Sequence, residues 1–449
     1  MALTGLEIYK QLPKTNCKDC GFPTCLAFAM KMAAKQVSLD KCPHVSEEAK
    51  AALESASRPP IQLVTIGTDS NEIKVGNETQ LFRHEERFHR PAAVAVRVSD
   101  TLDEAALAER AEKIGCLAFE RVGTMIKVNL VAVDNESGDA GRFEQAARVA
   151  AEKSGLACVL MSANVDNLKR AAEALAGQRP LLYITDPAEA EAAARVAKDA
   201  GCPLAIRADG LEALAELTPK ITAAGVEEII LDPGTRGLKA TVEAHTAIRR
   251  LALKNFRPLG YPTLAVTNDP DPMMQAIEAS TYVAKYAAVV VTDASEPWQL
   301  LPVLTTRQDI YIDPQKPVAV EPKLYEVGEV TPQSPVLVTT NFSLSYYSVE
   351  GEVEASRVPA YIISVDTEGT SVLTAWASDK FNAETITQAM KRADIEKKVS
   401  HRQVVIPGLV AVLSAGIEDE SGWNVQVGPK EASGLPGFLK NQWRPQQAS

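Results

Sequence analysis

A chain of 449 residues exceeds what one hydrophobic core usually holds, so two or three domains are expected. Hydrophobic residues make up 46% and charged residues 23%, while aromatics at 5% and abundant Ala, Val and Leu favour α/β architecture over an antiparallel sandwich. The net charge of −11, with no long basic run, argues against nucleic acid, and no apolar run reaches the ~20 residues that cross a bilayer.

Met1 to Glu7 holds no basic segment followed by an apolar stretch, so no signal peptide is read and the cytoplasm is the expected compartment. Four of the seven cysteines lie within the first 42 residues. An odd count in such a chain argues against a disulfide framework, and Cys116, Cys158 and Cys202 are expected to be ordinary buried thiols.

Residues 1–60 read as a compact cluster-bearing head. Glu7–Leu12 has the pattern of a short helix stopped by Pro13, the cysteine loop follows, and an apolar helix is expected from about Phe22 to Val37. The cysteines fall as Cys17-x2-Cys20-x4-Cys25-x16-Cys42, with Pro43 next. Four thiolates from one loop and one return segment can surround an iron–sulfur cubane or a tetrahedral metal. Two features favour a [4Fe–4S] cluster. The tight turn Gly21–Thr24 can point backbone N–H groups at sulfides, and Cys25 sits near a helix start, where the dipole stabilises anionic sulfur. Structural zinc is the alternative, although zinc sites more often pair two short knuckles and the second is missing here. His44 reads as a bystander.

Residues 61–92 read as a linker arm with strand-like pieces, Ile61–Ile66 and Glu72–Val75, and a charged stretch from Arg83 to Arg90. His84 and His89 fall in that stretch, where a solvated face is preferred over a metal site. Residues 93–324 carry the clearest pattern. Eight apolar runs recur at Ala92–Val98, Ile126–Val133, Ala157–Met161, Leu181–Ile184, Leu204–Ile206, Glu228–Leu231, Thr263–Val266 and Ala288–Val291. Each is followed by an amphipathic helical stretch, the first opened by the capping-box spacing Thr101 to Glu104. Eight strand–helix repeats over this length predict a (β/α)8 TIM barrel, with a doubly wound open sheet as rival. Residues 325–449 form a small Rossmann-like α/β domain with strands expected at Val336–Thr340, Pro359–Val365 and Gln403–Ile406, a further extended run at Val410–Leu413, and a tail rich in Gly, Pro and Ser.

The segment Thr15–Ala29 (TNCKDCGFPTCLAFA), together with Ser364–Trp376 (SVDTEGTSVLTAW), resembles the large, or gamma, subunits of the corrinoid iron–sulfur proteins of acetyl-CoA synthesis, and the resemblance runs over the whole chain. It implies a methyl carrier. A corrinoid held as Co(I) in the C-terminal domain takes a methyl group from methyltetrahydrofolate through a separate methyltransferase. It passes the group to acetyl-CoA synthase/CO dehydrogenase, and the [4Fe–4S] cluster restores cobalt lost to Co(II). It also implies a heterodimer with a smaller corrinoid-protein subunit, itself a barrel, and no membrane or nucleic-acid partner.

A corrin rimmed with amides needs backbone and hydroxyl groups with little side-chain bulk, such as strand-end loops supply. The candidate contacts are Thr340, Tyr346, Thr370, Ser371, Val372, Leu373, Thr374, Gly408, Gly416, Ala432 and Ser433. Many corrinoid domains place a histidine on cobalt from an Asp-x-His-x-x-Gly sequence, yet none of the five histidines here follows Asp at that spacing. Cobalt without a protein imidazole is therefore expected, and His401, amid Lys397–Arg402, is expected to be exposed. Thr374 is the candidate for the cobalt face. A second hypothesis concerns the barrel: Asp134-Asn135, Asp186-Pro187, Asp232-Pro233-Gly234 and Asn268-Asp269-Pro270 at its strand ends resemble those of pterin-binding barrels, which would make the chain itself a methyl-pterin-dependent methyltransferase.

Overall fold

The computed structural model describes residues 4–34, 36–46, 49, 50, 53 and 58–444. The first three residues of the segment read for a signal, and Lys35 in the expected Phe22–Val37 helix, lie outside the described residues. The chain folds into two compact units: Met1–Leu81, His89–Leu117 and Val128–Arg307 form one, and Phe82–Phe88, Ala118–Lys127 and Gln308–Ser449 form the other.

In the first unit, α1 (Gly5–Gln11) opens on a capping box between Thr4 and Glu7. α2 (Cys25–Ala33) is shorter than the expected helix, because the Thr24 hydroxyl accepts from Ala27 N and fixes the start there. β1 (Leu63–Ile66) and β2 (Ile73–Gly76) pair as an antiparallel hairpin. Its Val64, Ile66 and Val75 share one buried cluster with Ala93, Leu130 and Val159 of the barrel. Gln62 N donates to Gly260 O and Gly67 N to Arg179 O, so the hairpin lies against the N-terminal end of the barrel.

The barrel strands are β3 (Ala93–Ser99), β6 (Leu130–Asp134), β7 (Ala157–Ser162), β8 (Leu181–Ile184), β9 (Leu204–Arg207), β10 (Ile229–Asp232), β11 (Thr263–Val266) and β12 (Ala287–Thr292), all parallel and closed in that order. Between them run α3 (Glu104–Gly115), α4 (Ala140–Ser154), α5 (Val165–Ala174), α6 (Ala190–Ala200), α7 (Leu211–Ala223), α8 (Leu238–Leu253) and α9 (Pro272–Ala284), with α10 (Pro297–Tyr311) last. Near-continuous apolar strands are what a sheet buried on both faces requires, and each of the eight predicted runs overlaps one barrel strand. The run Ile126–Val133 divides: Ile126 belongs to an inserted hairpin, β4 (Ala118–Arg121) with β5 (Thr124–Lys127), and the barrel strand starts at Leu130. The first helix is capped by Asp103, accepting from Ala106 N, rather than by Thr101, whose hydroxyl is engaged with Ser99. α4 and α6 end on left-handed Gly155 and Gly201.

The second unit holds a five-stranded sheet in the order β13 (Leu324–Val327), β15 (Ala360–Val365), β14 (Val336–Thr340), β16 (Gln403–Ile406), β17 (Asn424–Val427), parallel except for β13. α11 (Ser343–Ser356) and α15 (Leu435–Asn441) cover one face through Tyr346, Val353, Leu435 and Phe438. α12 (Val372–Ala377), α13 (Ala383–Arg392) and α14 (Ser414–Ser421) cover the other through Ala375, Ile386, Met390 and Ile417. From β14 the chain steps to β15 on one side and returns to β16 on the other, so the switch point of this sheet lies between β14 and β16.

Two expectations are corrected. Val410–Leu413 is part of a 3-10 segment, Gly408–Leu413, not a strand, because Pro407 and Gly408 turn the chain and Val410 N closes onto Pro407 O. His401 is buried at 1% exposure, not exposed. Its Nε2 meets Ser334 O at 2.9 Å, Nδ1 accepts from Gln403 N, and its ring packs edge-on against Trp423 and Trp443. Burial holds its pKa below the ordinary value, so a charged flank in the sequence conceals a neutral core histidine.

Candidate functional site

The cysteine loop bends through left-handed residues: Lys14, Asn16, Lys18 and Gly21 have φ of 58°, 51°, 70° and 83°. Alternating backbone of this kind forms concavities lined by N–H groups that suit anions, iron–sulfur clusters among them. The Asn16 carboxamide oxygen accepts from Cys25 N at 2.8 Å, tying the loop to the first turn of α2. Cys25 is buried, Cys20 and Cys42 are half-buried and Cys17 is exposed. Around them Ile8, Leu12, Phe28 and Ala29 form an apolar shell, which lowers the local dielectric around any bound charge.

His44 is engaged with the loop: its Nε2 lies 2.6 Å from an Asp19 oxygen. The hydrogen bond with His44, and then that with Cys17, hold the Asp19 carboxyl below the usual range. Among the described residues, the group of possible ligand atoms found within 4.8 Å of one another is Cys17, Asp19 and His44, so no three of the four cysteine sulfurs gather that closely. Four cysteines at a loop of left-handed residues, beside an apolar shell, are a donor set that suits an iron–sulfur cluster.

In the second unit a cavity of about 400 Å³ opens at the sheet's switch point. Leu337, Thr339, Val405 and Ile406 form its floor, and Phe342, Leu344, Ser345 and Ser348 one wall. Of the predicted contacts, Ser371, Val372, Leu373 and Ala432 line it. Gly408 lies between the lining residues Pro407 and Leu409, and a Cβ there would come within 2.5 Å of Gly428 O, so glycine lets two loops close at the cavity edge. Thr374 Oγ1 meets Ser371 Oγ at 3.0 Å, one turn into α12. The Thr370 hydroxyl is engaged by Thr367 O at 2.7 Å.

The others sit off the cavity wall. Thr340 is fully buried, and its hydroxyl has no hydrogen-bond partner among the described residues. The Tyr346 hydroxyl donates to Glu350 Oε1 at 2.7 Å, and burial, with that bond second, pushes its pKa up. Gly416 lies in α14 with Ala383 Cβ 3.1 Å from where its own Cβ would be, and Ser433 falls within the turn Ala432–Gly434. Sequence reading missed the α11 wall, Leu344, Ser345 and Ser348. Its one signal is Leu344, a large apolar residue left 56% exposed just past a strand end.

The barrel's strand-end carboxylates are occupied. The Arg97 guanidinium donates to both oxygens of Asp293 at 2.7 Å and to Asp134 at 3.1 Å. Burial raises the Asp134 pKa against the pull of Arg97. Buried Asp232 accepts from the Tyr183 hydroxyl, Gly234 N and both terminal nitrogens of Arg236. Asn135 donates to Asp100 and accepts from Ser162 and Asn167. Asp186 caps Ala188 N, and Glu278 receives Asn268 N. Of the three scattered thiols, Cys158 and Cys202 are buried, with burial pushing their pKa values up to about 12 and about 11. Cys116 is exposed instead, because it caps the end of α3. Among the described residues no helix is long and apolar enough to cross a membrane.

Comparison with known proteins bears on both sites. The family model described as CO dehydrogenase/acetyl-CoA synthase delta subunit matches residues 63–439, and an Fe-S cluster model matches residues 12–44. The chain is 48% identical to the corrinoid/iron-sulfur protein large subunit of Moorella thermoacetica, covering 98% of this chain and 99% of that protein. It is 38% identical to the acetyl-CoA decarbonylase/synthase complex subunit gamma of Methanothermobacter thermautotrophicus, with the same coverage. Among solved structures, 7,8-dihydropteroate synthase from Vibrio fischeri aligns with a TM-score of 0.38 and 15% identity, over 49% of this chain and 93% of that one.

Proposed function

The chain belongs to the CO dehydrogenase/acetyl-CoA synthase family that includes the corrinoid/iron-sulfur protein large subunits, and from that premise we propose that it is a methyl carrier of acetyl-CoA synthesis. Cys17, Cys20, Cys25 and Cys42 would hold a [4Fe–4S] cluster, and the switch-point cavity, with Ser371, Val372, Leu373, Gly408 and Ala432 at its walls, would hold part of a corrinoid. When bound, the corrinoid supplies a reducible cobalt that takes up and hands on a methyl group, and the cluster supplies the electron that restores it after oxidation. The carrying observation is the cavity itself, which opens where an open α/β sheet offers a ligand site and is walled by apolar side chains and small hydroxyls.

The chain's residues prepare both sites. Asn16 ties the left-handed loop to the first turn of α2 through Cys25 N, and the apolar shell around Cys25 would shield one side of an anionic cluster. With His401 committed to Ser334 and Gln403 in the core, this domain would offer a bound corrinoid no imidazole. The functional division that accompanies this reading is 1–60 for the cluster, 61–92 as connector, 93–324 as scaffold and 325–449 for the corrinoid. The partners are a small corrinoid-protein subunit, a methyltetrahydrofolate methyltransferase and acetyl-CoA synthase/CO dehydrogenase. The barrel is a scaffold in this reading, since Asp134, Asp186 and Asp232 are each already engaged by the chain's own donors.

The test is metal analysis with an optical spectrum on protein purified anaerobically with its partner subunit. About four irons and one cobalt per chain are expected, with a broad iron–sulfur band beneath corrinoid absorption. Iron without cobalt would remove the carrier reading, and zinc in place of iron would remove the cluster.

A further inference from the structure

Three of the cavity's lining residues, Ser371, Val372 and Leu373, stand at the start of α12, a helix of six residues whose N-cap makes no side-chain hydrogen bond to it. What fixes them lies just upstream. Asn341, at the end of β14 and 4% exposed, turns its carboxamide toward the loop between β15 and α12. Its single oxygen accepts from Thr367 N at 2.9 Å, the Thr367 hydroxyl at 3.0 Å and Gly369 N at 2.9 Å. Its nitrogen donates to Asp366 at 3.2 Å, and its own backbone N–H donates to Val365 O at 2.8 Å.

The loop it gathers is costly to hold. Glu368 and Gly369 are successive left-handed residues, at φ 56° and 72°, and a Cβ on Gly369 would sit 3.0 Å from Pro317 Cβ. Such backbone persists only where its surroundings over-determine it. One carboxamide oxygen collecting three donors from a three-residue span supplies that determination: the N–H groups of Thr367 and Gly369 would otherwise be buried without this partner, while the Thr367 hydroxyl also has Thr370 O at 3.1 Å.

We propose that Asn341 is a positioning residue for the corrinoid: it does not line the cavity, but it fixes the Thr367–Gly369 turn and thereby the height and direction at which Ser371, Val372 and Leu373 meet the ligand. The inference rests on the corrinoid reading above. β14 thus serves the site twice, sharing the floor with β16 and setting the wall's geometry through Asn341.

The experiment uses the complex with its partner subunit, comparing wild type with Asn341→Ala, Asn341→Asp, Thr367→Val and, as a control, Thr387→Val. Thr387 is buried on α13, outside the loop. Cobalt retention, corrinoid dissociation constant and the Co(II) electron paramagnetic resonance spectrum are measured beside circular dichroism and urea unfolding. Asn341→Ala is expected to weaken corrinoid binding on the order of tenfold and to broaden the cobalt spectrum. Asn341→Asp, which keeps the accepting oxygen but turns the donor to Asp366 into a second carboxylate, should restore only part of the affinity. Thr367→Val should shift both readouts in the same direction by less, and Thr387→Val should leave them as in wild type. Unaltered affinity and spectrum in folded Asn341→Ala would overturn the proposal. If that variant does not fold, wild-type readouts from Thr367→Val would overturn it. Wild-type protein without cobalt would instead sink the underlying corrinoid reading.

Discussion

The barrel and the C-terminal sheet end their strands on the same kinds of residue, and the structure uses them in opposite ways. In the barrel, Asp134, Asn135 and Asp232 are consumed by Arg97, Arg236, Tyr183 and neighbouring amides. In the C-terminal sheet the strand ends diverge at a switch point, and Thr339, Ser345, Ser348 and Ser371 face an open cavity. A polar residue at a strand end is therefore left open to solvent or a ligand only where the topology leaves a gap that the chain's own side chains do not fill. Local chemistry is the same; closure of the sheet decides the outcome.

That contrast can be broken most directly at the cavity. Ala432→Trp should fill space between Leu435 and the floor and abolish corrinoid retention, read as cobalt per chain, while the far-ultraviolet circular dichroism stays as in wild type. Cobalt retained at the wild-type level would show that the open mouth is not the ligand site. The barrel should answer with stability instead. Asp232→Asn strips a buried carboxylate from Arg236 and Tyr183, with an expected cost of about 3 kcal/mol in urea unfolding and no loss of cobalt from protein that remains folded.

A third test uses pH. His245, buried on α8 with Nδ1 3.2 Å from Thr263 Oγ1, has its pKa lowered by burial to about 4, below its ordinary value of 6.5. The unfolded chain thus binds a proton at pH values where the folded one does not. The contribution to stability is full above about pH 6.5 and is lost as pH falls toward 4, by up to about 3 kcal/mol. Unfolding free energies of wild type and His245→Asn between pH 4.5 and 7.5 should converge at the acid end. Parallel curves would sink the assignment. The smallest effect is expected from Asp186→Ala, which removes the cap on Ala188 N. It should cost about 1 kcal/mol and leave methyl transfer by the assembled system untouched. A change in activity would reopen the pterin reading of the barrel.

The sequence alone determined a good deal. The eight barrel strands were legible because parallel strands buried on both faces must be continuous apolar runs, and Ala157–Met161 or Thr263–Val266 allow little else. The Fe-S region was legible because four cysteines fall within 26 positions, so that spacing alone marks it. Other features were decided by the tertiary structure. His401 looked exposed among Lys397, Lys398 and Arg402, and only the packing of Trp423 and Trp443 buries it. Cys116 looked like its two buried counterparts, until its position at the end of α3 set it at the surface. Gly416 and Ser433 sat in the right segments yet off the cavity wall, while the α11 face with Leu344 and Ser348 was unseen. A cavity assembled from residues 337 to 435 is set by which strands adjoin and which helix faces turn inward. Those are long-range facts that periodicity, a local property, does not carry.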